Sequence, residues 1–290
     1  MVLKKILITG ASGQLGNSLK KLFSSKYDLI PTYNINSHKR NNFSLDISNS
    51  LMTKDLVSAI SPDVIINLAA LTNVDLCESN PRLAHAINFQ GVKNLVNTFK
   101  GSIIHISTDY VFDGKLGQYK EGDIPNPINV YGFTKLEAEK LLFKKSKKSL
   151  IIRTNVLYDY QKKSKASFLN WVVDSLRRGE KIKVVDDQFN NPTWTDSIAV
   201  VIERAIEADL NGLIHWGDFD WISRYDFANK IADKFNLQSN LIEPIKTDEL
   251  NQIAPRPLNG GLNTTLAQSL LRLEPPKIDD CLNQIIENLE

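Results

Sequence analysis

Apolar and polar positions along the first 155 residues fall into two alternating rhythms. Short β-branched runs at Lys5–Thr9, Leu29–Tyr33, Val64–Leu68, Ser102–Ser107 and Ser149–Thr154 predict strands. Between them, Leu15–Ser24, Leu51–Ile60, Leu83–Lys100 and Tyr131–Phe143 carry apolar residues at three-to-four spacing and predict helices. The run Val64-Ile65-Ile66-Asn67-Leu68 is nearly all apolar, as a parallel strand covered on both faces must be. Strand–helix alternation of this kind yields βαβ units, so residues 1–155 are expected to form an α/β domain of Rossmann type on a doubly wound parallel sheet.

Beyond Thr154 the rhythm loosens. A polar, lysine-rich loop at Gln161–Lys165 precedes a helix over Phe168–Arg178 and a short strand over Lys181–Val185. A helix over Thr195–Glu207 is expected to return, with residues 186–210, to the sheet. Helices at Arg224–Phe235 and Asp279–Leu289 follow, separated by proline-rich loops, and Ser223 with Asp226 has the spacing of a capping box. Residues 156–290 are therefore expected to form a smaller, substrate-binding lobe.

Composition narrows the class without changing the architecture. Of 290 residues, 42% are hydrophobic and 23% charged, and a net charge of +2 points to neither nucleic acid nor an anionic membrane as partner. Two isolated cysteines, Cys77 and Cys281, fit a reducing compartment better than a disulfide framework. His38, His85, His105 and His215 are scattered without metal-ligand spacing, so no metal is expected. No apolar run is long enough to span a bilayer, and the apolar stretch after Lys4-Lys5 is too short for a signal peptide. The cytoplasm is the expected location.

Three constellations carry chemistry. The first strand runs into Gly10-Ala11-Ser12-Gly13-Gln14-Leu15-Gly16 and then a helix. Glycines so placed allow a tight turn, close approach of backbone to a diphosphate and close helix–strand contact, while the helix start offers N–H groups to an anion. Gly114 and Gly117 share the three-residue spacing but lack a third glycine and open no helix. Tyr131 and Lys135 stand four apart on a predicted helix, so phenol and ammonium share a face, and a lysine cation beside a phenol eases its ionisation. Tyr158 and Lys162 repeat the spacing in a polar loop without helical periodicity. Ser107-Thr108-Asp109 lies at the carboxyl end of a strand, where ligands of open α/β sheets bind, and Asn67-Leu68-Ala69-Ala70 offers small residues against a cofactor. The second strand ends in the neutral Asn34, and Lys39 and Arg40 follow with no carboxylate before Asp46, which favours NADPH over NADH.

The segments TGASGQLG, NLAALTNVD, STDYVFDG, YGFTK, RTNVLY and APRPLNGGL, in that order, resemble the extended short-chain dehydrogenase/reductases, most closely the dTDP-4-dehydrorhamnose reductase family. The resemblance spans nearly the whole chain. It implies an NADPH-dependent reductase of a nucleotide-linked 4-keto-6-deoxy sugar, active in dTDP-rhamnose and cell-surface polysaccharide synthesis, with NADH admitted as a second cofactor. It further implies a catalytic set of Thr108, Tyr131 and Lys135, with Tyr131 as proton donor. Cofactor contacts are implied at Gly10, Ser12, Gly13, Gln14, Leu15, Gly16, Asp46, Ile47, Ala69, Ala70 and Leu71, and substrate contacts at Thr108, Asp109, Asn155 and Arg256. A homodimer is compatible with this reading but not specified by it.

Two positions depart from the family. Val156 stands where those reductases carry a tryptophan lining the sugar pocket, and Tyr110 follows Asp109 where related dehydratases have a glutamate. The segments YKEGDIPNPINVYGFTKLEAEK and GLIHWGDFDWISRYDFANKIADKFNL also resemble the regulatory β subunit of methionine adenosyltransferase, a dinucleotide-binding relative. A nucleotide-sugar epimerase or dehydratase is a third alternative.

Overall fold

The computed structural model describes residues 3–34, 43–161 and 167–289. Its centre is a sheet of seven parallel strands: β1 (Lys5–Thr9), β2 (Asp28–Tyr33), β3 (Phe43–Ser44), β4 (Val64–Asn67), β5 (Ser102–Thr108), β6 (Leu150–Thr154) and β7 (Gly212–Trp216). They lie in the order β7-β6-β5-β4-β1-β2-β3, so the winding reverses between β1 and β4. Alternate residues of each strand feed two cores. Ile6, Ile8, Ile66, Ile104, Ile152 and Ile214 face helices Gln14–Phe23, Thr195–Glu207 and Thr265–Leu271. Leu7, Ile65, Ile103 and Ile151 face helices Ser50–Ile60, Gly91–Thr98 and Val130–Lys145. Both faces being covered is the reason that the central strands read as unbroken apolar runs.

Local signals account for most helix ends. Asn49 accepts from Met52 N at 3.0 Å, Asn129 from Gly132 N at 2.8 Å and Ser223 from Asp226 N at 2.9 Å. The segment expected as one helix over Leu83–Lys100 begins earlier, at Pro81 behind the Asn80 cap. It passes through a π-helical turn at Ala86–Gln90 and ends at Thr98, where Phe99 is extended. A further short helix, Val74–Ser79, was not legible as periodicity in six residues.

The second lobe has its own core of Leu169, Val172, Val173, Phe227, Ile231, Leu282 and neighbours, between helices Phe168–Arg177, Arg224–Lys234 and Ile278–Glu287. Three two-stranded ladders edge it: Leu157–Tyr158 with Thr193–Trp194, Phe189–Asn190 with Ile222–Ser223, and Ile182–Val185 with Ile242–Ile245. Helix Thr195–Glu207 packs on the sheet, and the chain stays with the sheet just beyond it. Gly212–Trp216, which the sequence pattern left among the lobe residues, adds to the free edge of β6, and helix Thr265–Leu271 covers the same face. A five-residue strand opening on glycine is recognisable only beside the edge that it completes.

Asp218, just past β7, ties the two lobes together. Its buried carboxylate accepts from the Tyr158 hydroxyl at 2.8 Å, Trp194 N at 2.8 Å and the Ser197 hydroxyl at 3.0 Å. Tyr158 is fully buried with its ring edge-on to Phe227. Its position is structural, and Lys162, the other half of the repeated spacing, lies outside the described residues. Tyr158→Phe should lower the unfolding free energy by about 1–3 kcal/mol, because it leaves a buried carboxylate short of a donor. Urea titration should show this as a lower midpoint at unchanged slope.

Candidate active site

The loop after β1 is shaped by backbone contacts. Gly10 adopts φ +66°, and a Cβ there would stand 2.8 Å from Ala69 Cα and N. A Cβ on Gly16 would stand 2.6 Å from the Ala11 carbonyl oxygen, so the helix can lie against the turn only with glycine at that position. Gly13 caps helix Gln14–Phe23 in an extended conformation, with no side-chain cap and no acidic residue in the first turn. The nearest atom to a Cβ on Gly13 would be Gly10 O, at 3.7 Å. An uncapped helix start with an open glycine before it suits an anion such as a dinucleotide diphosphate. Gln161, from the second lobe, braces this loop by donating to Gln14 O at 3.2 Å and accepting from Asn17 Nδ2 at 2.7 Å.

A cleft of ≈ 620 Å³ opens at the carboxyl ends of β1, β4, β5 and β6. Its walls are the Gly10–Gly16 loop, Leu68, Ala70, Ile106–Tyr110, Tyr131, Lys135, Thr154–Leu157 and Arg224. Thr108, Tyr131 and Lys135 thus share one cleft with the glycine loop, as do Ser12, Gly13, Gln14, Leu15, Asp109 and Asn155.

Tyr131 opens helix Val130–Lys145, seated on the Asp109–Val111 turn so closely that a Cβ on Gly132 would collide with the Tyr110 carbonyl oxygen. Burial pushes the Tyr131 phenol well above its ordinary range, opposed by its hydrogen bond with Thr108. Lys135 is 2% exposed. Its Nζ donates to Ile106 O at 2.6 Å and lies 3.1 Å from His105 Nε2. Burial pulls its pKa down to about 8, with the Glu139 charge acting in the other direction. Lysine is thus anchored to β5, and burial and Thr108 set the phenol.

Ser107 turns away from substrate chemistry. Its hydroxyl donates to Glu139 Oε1 at 2.5 Å, and Arg153 grips the same carboxylate at 3.0 and 2.7 Å while lying over the Phe112 ring. Asp109 is different: its Oδ1 accepts from Thr108 Oγ1 at 3.1 Å, its Oδ2 is buried with no partner, and burial raises its pKa to about 7. Gly260 lies against it, and a Cβ there would stand 2.5 Å from Oδ2.

Most of the other expected contacts lie off the cleft walls. Asp46 closes its own turn by accepting from Ser48 N and Oγ, and Ile47 packs under Gly91. Leu71 is pinned through its backbone to Asn88, and Ala69 is the backbone against which Gly10 rests. Asn34 follows β2. Arg256 pairs with Asp75 at 3.0 Å and donates to Ala254 O at 2.6 Å, near enough to Tyr110 for its charge to act there. Asn155 reaches the cleft while its amide nitrogen is held by Asn191 O at 3.0 Å. Lys39 and Arg40 lie outside the described residues.

Three residues, one on the cleft wall and two behind it, were assigned no individual role from the sequence. Arg224, legible only as the first residue after a helix cap, has its guanidinium over the Phe168 ring and hydrogen-bonded to Tyr110. Asn67 and His105 are buried polar residues paired in register in the centre of the sheet. A polar residue in a run otherwise covered on both faces was the available signal, since buried polar groups require partners.

Residues 4–290 match the family model described as "RmlD substrate binding domain". The chain is 35% identical to dTDP-4-dehydrorhamnose reductase of Aggregatibacter actinomycetemcomitans, over 97% of this chain and 98% of that one. It is 33% identical to methionine adenosyltransferase 2 subunit beta of Xenopus laevis, over 92% and 82%. The crystal structure of dTDP-4-dehydrorhamnose reductase from Bacillus anthracis in complex with NADP superposes with a TM-score of 0.90, at 31% identity, covering 99% of this chain and 100% of that one. With the family model spanning residues 4–290 and 35% identity over 97% of its length, the chain belongs to the dTDP-4-dehydrorhamnose reductase family.

Proposed function

We propose that this chain reduces the 4-keto group of a dTDP-linked 4-keto-6-deoxy hexose, dTDP-4-dehydrorhamnose, with NADPH. The observation that carries the reading is the meeting of Thr108, Tyr131 and Lys135 with an uncapped helix start in one cleft. NADPH, when bound, supplies the hydride. Gly13, Gln14 and Leu15 would hold its diphosphate through backbone N–H groups, and the neutral Asn34 after β2 makes no carboxylate demand on the 2′ position.

Thr108 Oγ1 orients the sugar carbonyl oxygen, and the Tyr131 hydroxyl gives that oxygen its proton. Burial keeps Tyr131 a neutral phenol, so the acid is loaded before each turnover. Lys135, still largely an ammonium below its pKa of about 8, offers positive charge to the phenolate that the proton transfer leaves. Arg224, a buried cation on the same wall, suits the substrate's diphosphate, with Phe168 and Tyr110 fixing its plane.

Tyr110 occupies the place of the acidic residue that a dehydratase would use, and it packs edge-on to Tyr131 with ring centroids 5.9 Å apart. The purified protein should therefore leave dTDP-glucose unchanged in the presence of cofactor; formation of a 4-keto-6-deoxy product would reverse the assignment. The likeness to the adenosyltransferase β subunit supports a second reading, a cofactor-holding regulatory subunit. Such a subunit would show no loss of nicotinamide absorbance with any nucleotide 4-keto sugar.

Tyr131→Phe should lower kcat by about 10²–10⁴-fold with NADPH affinity retained, since only the acidic hydroxyl is removed. Reductive turnover should decline as pH rises through about 8, where Lys135 loses its proton, and Lys135→Met should both lower turnover and erase that alkaline limb. Arg224→Met should raise KM for the nucleotide sugar about ten- to a hundredfold, from the loss of a charge-assisted contact of about 1.5–3 kcal/mol, while the NADPH Kd stays unchanged. A matching loss of cofactor affinity would place Arg224 at the other ligand.

A further inference from the structure

Behind Lys135 the sheet carries a line of polar side chains that the proposed reaction does not use. Thr9, Asn67 and His105 occupy one layer of three adjacent strands, Thr9 paired with Asn67 and Asn67 with His105 in register. All three are at most 1% exposed. Thr9 Oγ1 lies 2.5 Å from Asn67 Oδ1, Asn67 Nδ2 lies 2.9 Å from His105 Nδ1, and His105 Nε2 lies 3.1 Å from Lys135 Nζ. The line is continuous and ends on the lysine.

Hydrogen-bond accounting along this line depends on the charge of Lys135. With an ammonium, Lys135 donates to His105 Nε2, so the imidazole proton sits on Nδ1 and donates to the Asn67 carbonyl oxygen. The Asn67 NH₂ then donates to Thr9 Oγ1. A neutral amine adds a lone pair to its two N–H groups, which allows every bond to run the other way: Thr9 donates to Asn67 Oδ1, Asn67 Nδ2 donates to His105 Nδ1, and Nε2–H donates to the lysine lone pair. Three changes relate the two arrangements: rotation of one amide, which exchanges nearly isosteric O and NH₂ groups, a turn of the Thr9 hydroxyl, and exchange of the imidazole tautomer, in which Nδ1 gives up a proton to water and Nε2 gains one. The imidazole carries a single proton in both.

We propose that Thr9, Asn67 and His105 form a hydrogen-bonded wire that reverses with the charge on Lys135, and that His105 is a positioning residue holding the ammonium in register with the cleft. The proposal rests on the reading of Lys135 as part of the active site. Ile106 O takes one of the three ammonium hydrogens and His105 takes a second, which leaves the third for the cleft.

Other titratable groups around Lys135 belong to the elements packed on its helix. They are Glu139, Glu137 and Tyr131 on the helix itself, Cys77 and Glu78 on Val74–Ser79, Arg82 and His85 on Pro81–His85, Lys93 on Gly91–Thr98, and Asp109 and Tyr110 on the following turn. Of these, Glu139 is the one whose charge raises the lysine's proton affinity, and Arg153 and Ser107 hold it in place. His85 lies 4.0 Å from Glu137. The imidazole of His105 is itself kept neutral by burial and by the lysine charge, so it serves Lys135 as a hydrogen-bond partner and not as a second cation.

The test is the pH profile of reductive turnover in the full-length protein with NADPH, for three variants whose folding and cofactor binding are checked by thermal melting and fluorescence titration. His105→Phe deletes the acceptor behind the ammonium and should move the alkaline midpoint to lower pH by about 1, an about tenfold larger acid constant. His105→Gln, whose amide can take up both hydrogen bonds, should restore most of that shift. Asn67→Asp can only accept, which fixes Nε2 as an acceptor and favours the ammonium, so its midpoint should move to higher pH. Midpoints equal to wild type in both His105 variants would overturn the proposal, as would shifts of the same direction in His105→Phe and Asn67→Asp. If His105→Phe does not fold, the opposite displacement in Asn67→Asp decides the matter alone. Persistence of the alkaline limb in Lys135→Met would instead remove the underlying reading of Lys135, an outcome distinct from unshifted midpoints in the other variants.

Discussion

Gly10 passes so close to Ala69 that the two backbones leave no space for a side chain between them. This approach follows from the reversal of winding between β1 and β4, which are neighbours in the sheet although the chain leaves them toward opposite faces. The divergence of those two exits opens the cleft, and the strand ends on either side of it supply the walls. Thr108 enters from β5, Thr154 from β6 and the glycine loop from β1, each placed by strand pairing more than by its own sequence. The sheet's register is thus the constraint on which the chemistry depends, since shifting one strand by a residue would turn every one of these side chains to the other face.

Charge in and behind this cleft is handled by burial with defined partners. Glu139 and Arg153 neutralise each other beneath β5, and Lys135 is held by a carbonyl and an imidazole. Arg224 relies on an aromatic ring and a phenol hydroxyl. Asp109 keeps one carboxylate oxygen without a partner, and burial brings its pKa to about 7. In water these groups would keep their ordinary charge states, whereas here small changes in surroundings decide them. A cleft with a neutral phenol, a lysine of weakened basicity and, among the described residues, an arginine without a salt-bridged carboxylate suits the proton transfer and the anionic substrate proposed for it.

The likeness to both reductases and adenosyltransferase β subunits is understandable on the same terms. Similarity of 33–35% spread over more than 90% of this chain is a property of the whole scaffold. Val156 and Arg224, which line the substrate side, are single positions and weigh little in such a comparison. Function has to be argued from those positions, because the fold hosts more than one.

Periodicity alone determined the strands β1, β2, β4, β5 and β6 and the longer helices between them, because a sheet covered on both faces imposes short apolar runs on its central strands. The glycine loop and the Tyr131–Lys135 pair were equally legible, being local in sequence. Asn129 capping the helix and Gly10 at positive φ are local events as well. Only the tertiary structure decided that Gly212–Trp216 completes the sheet, that Ser107 serves Glu139 and that Tyr158 anchors Asp218. It alone brought Arg224 to the cleft and aligned Thr9, Asn67 and His105 behind Lys135. These contacts join residues 30 or more apart along the chain, and their existence depends on which strands become neighbours. A linear pattern records which residues must be buried; the packing of the elements settles what each buried polar group meets.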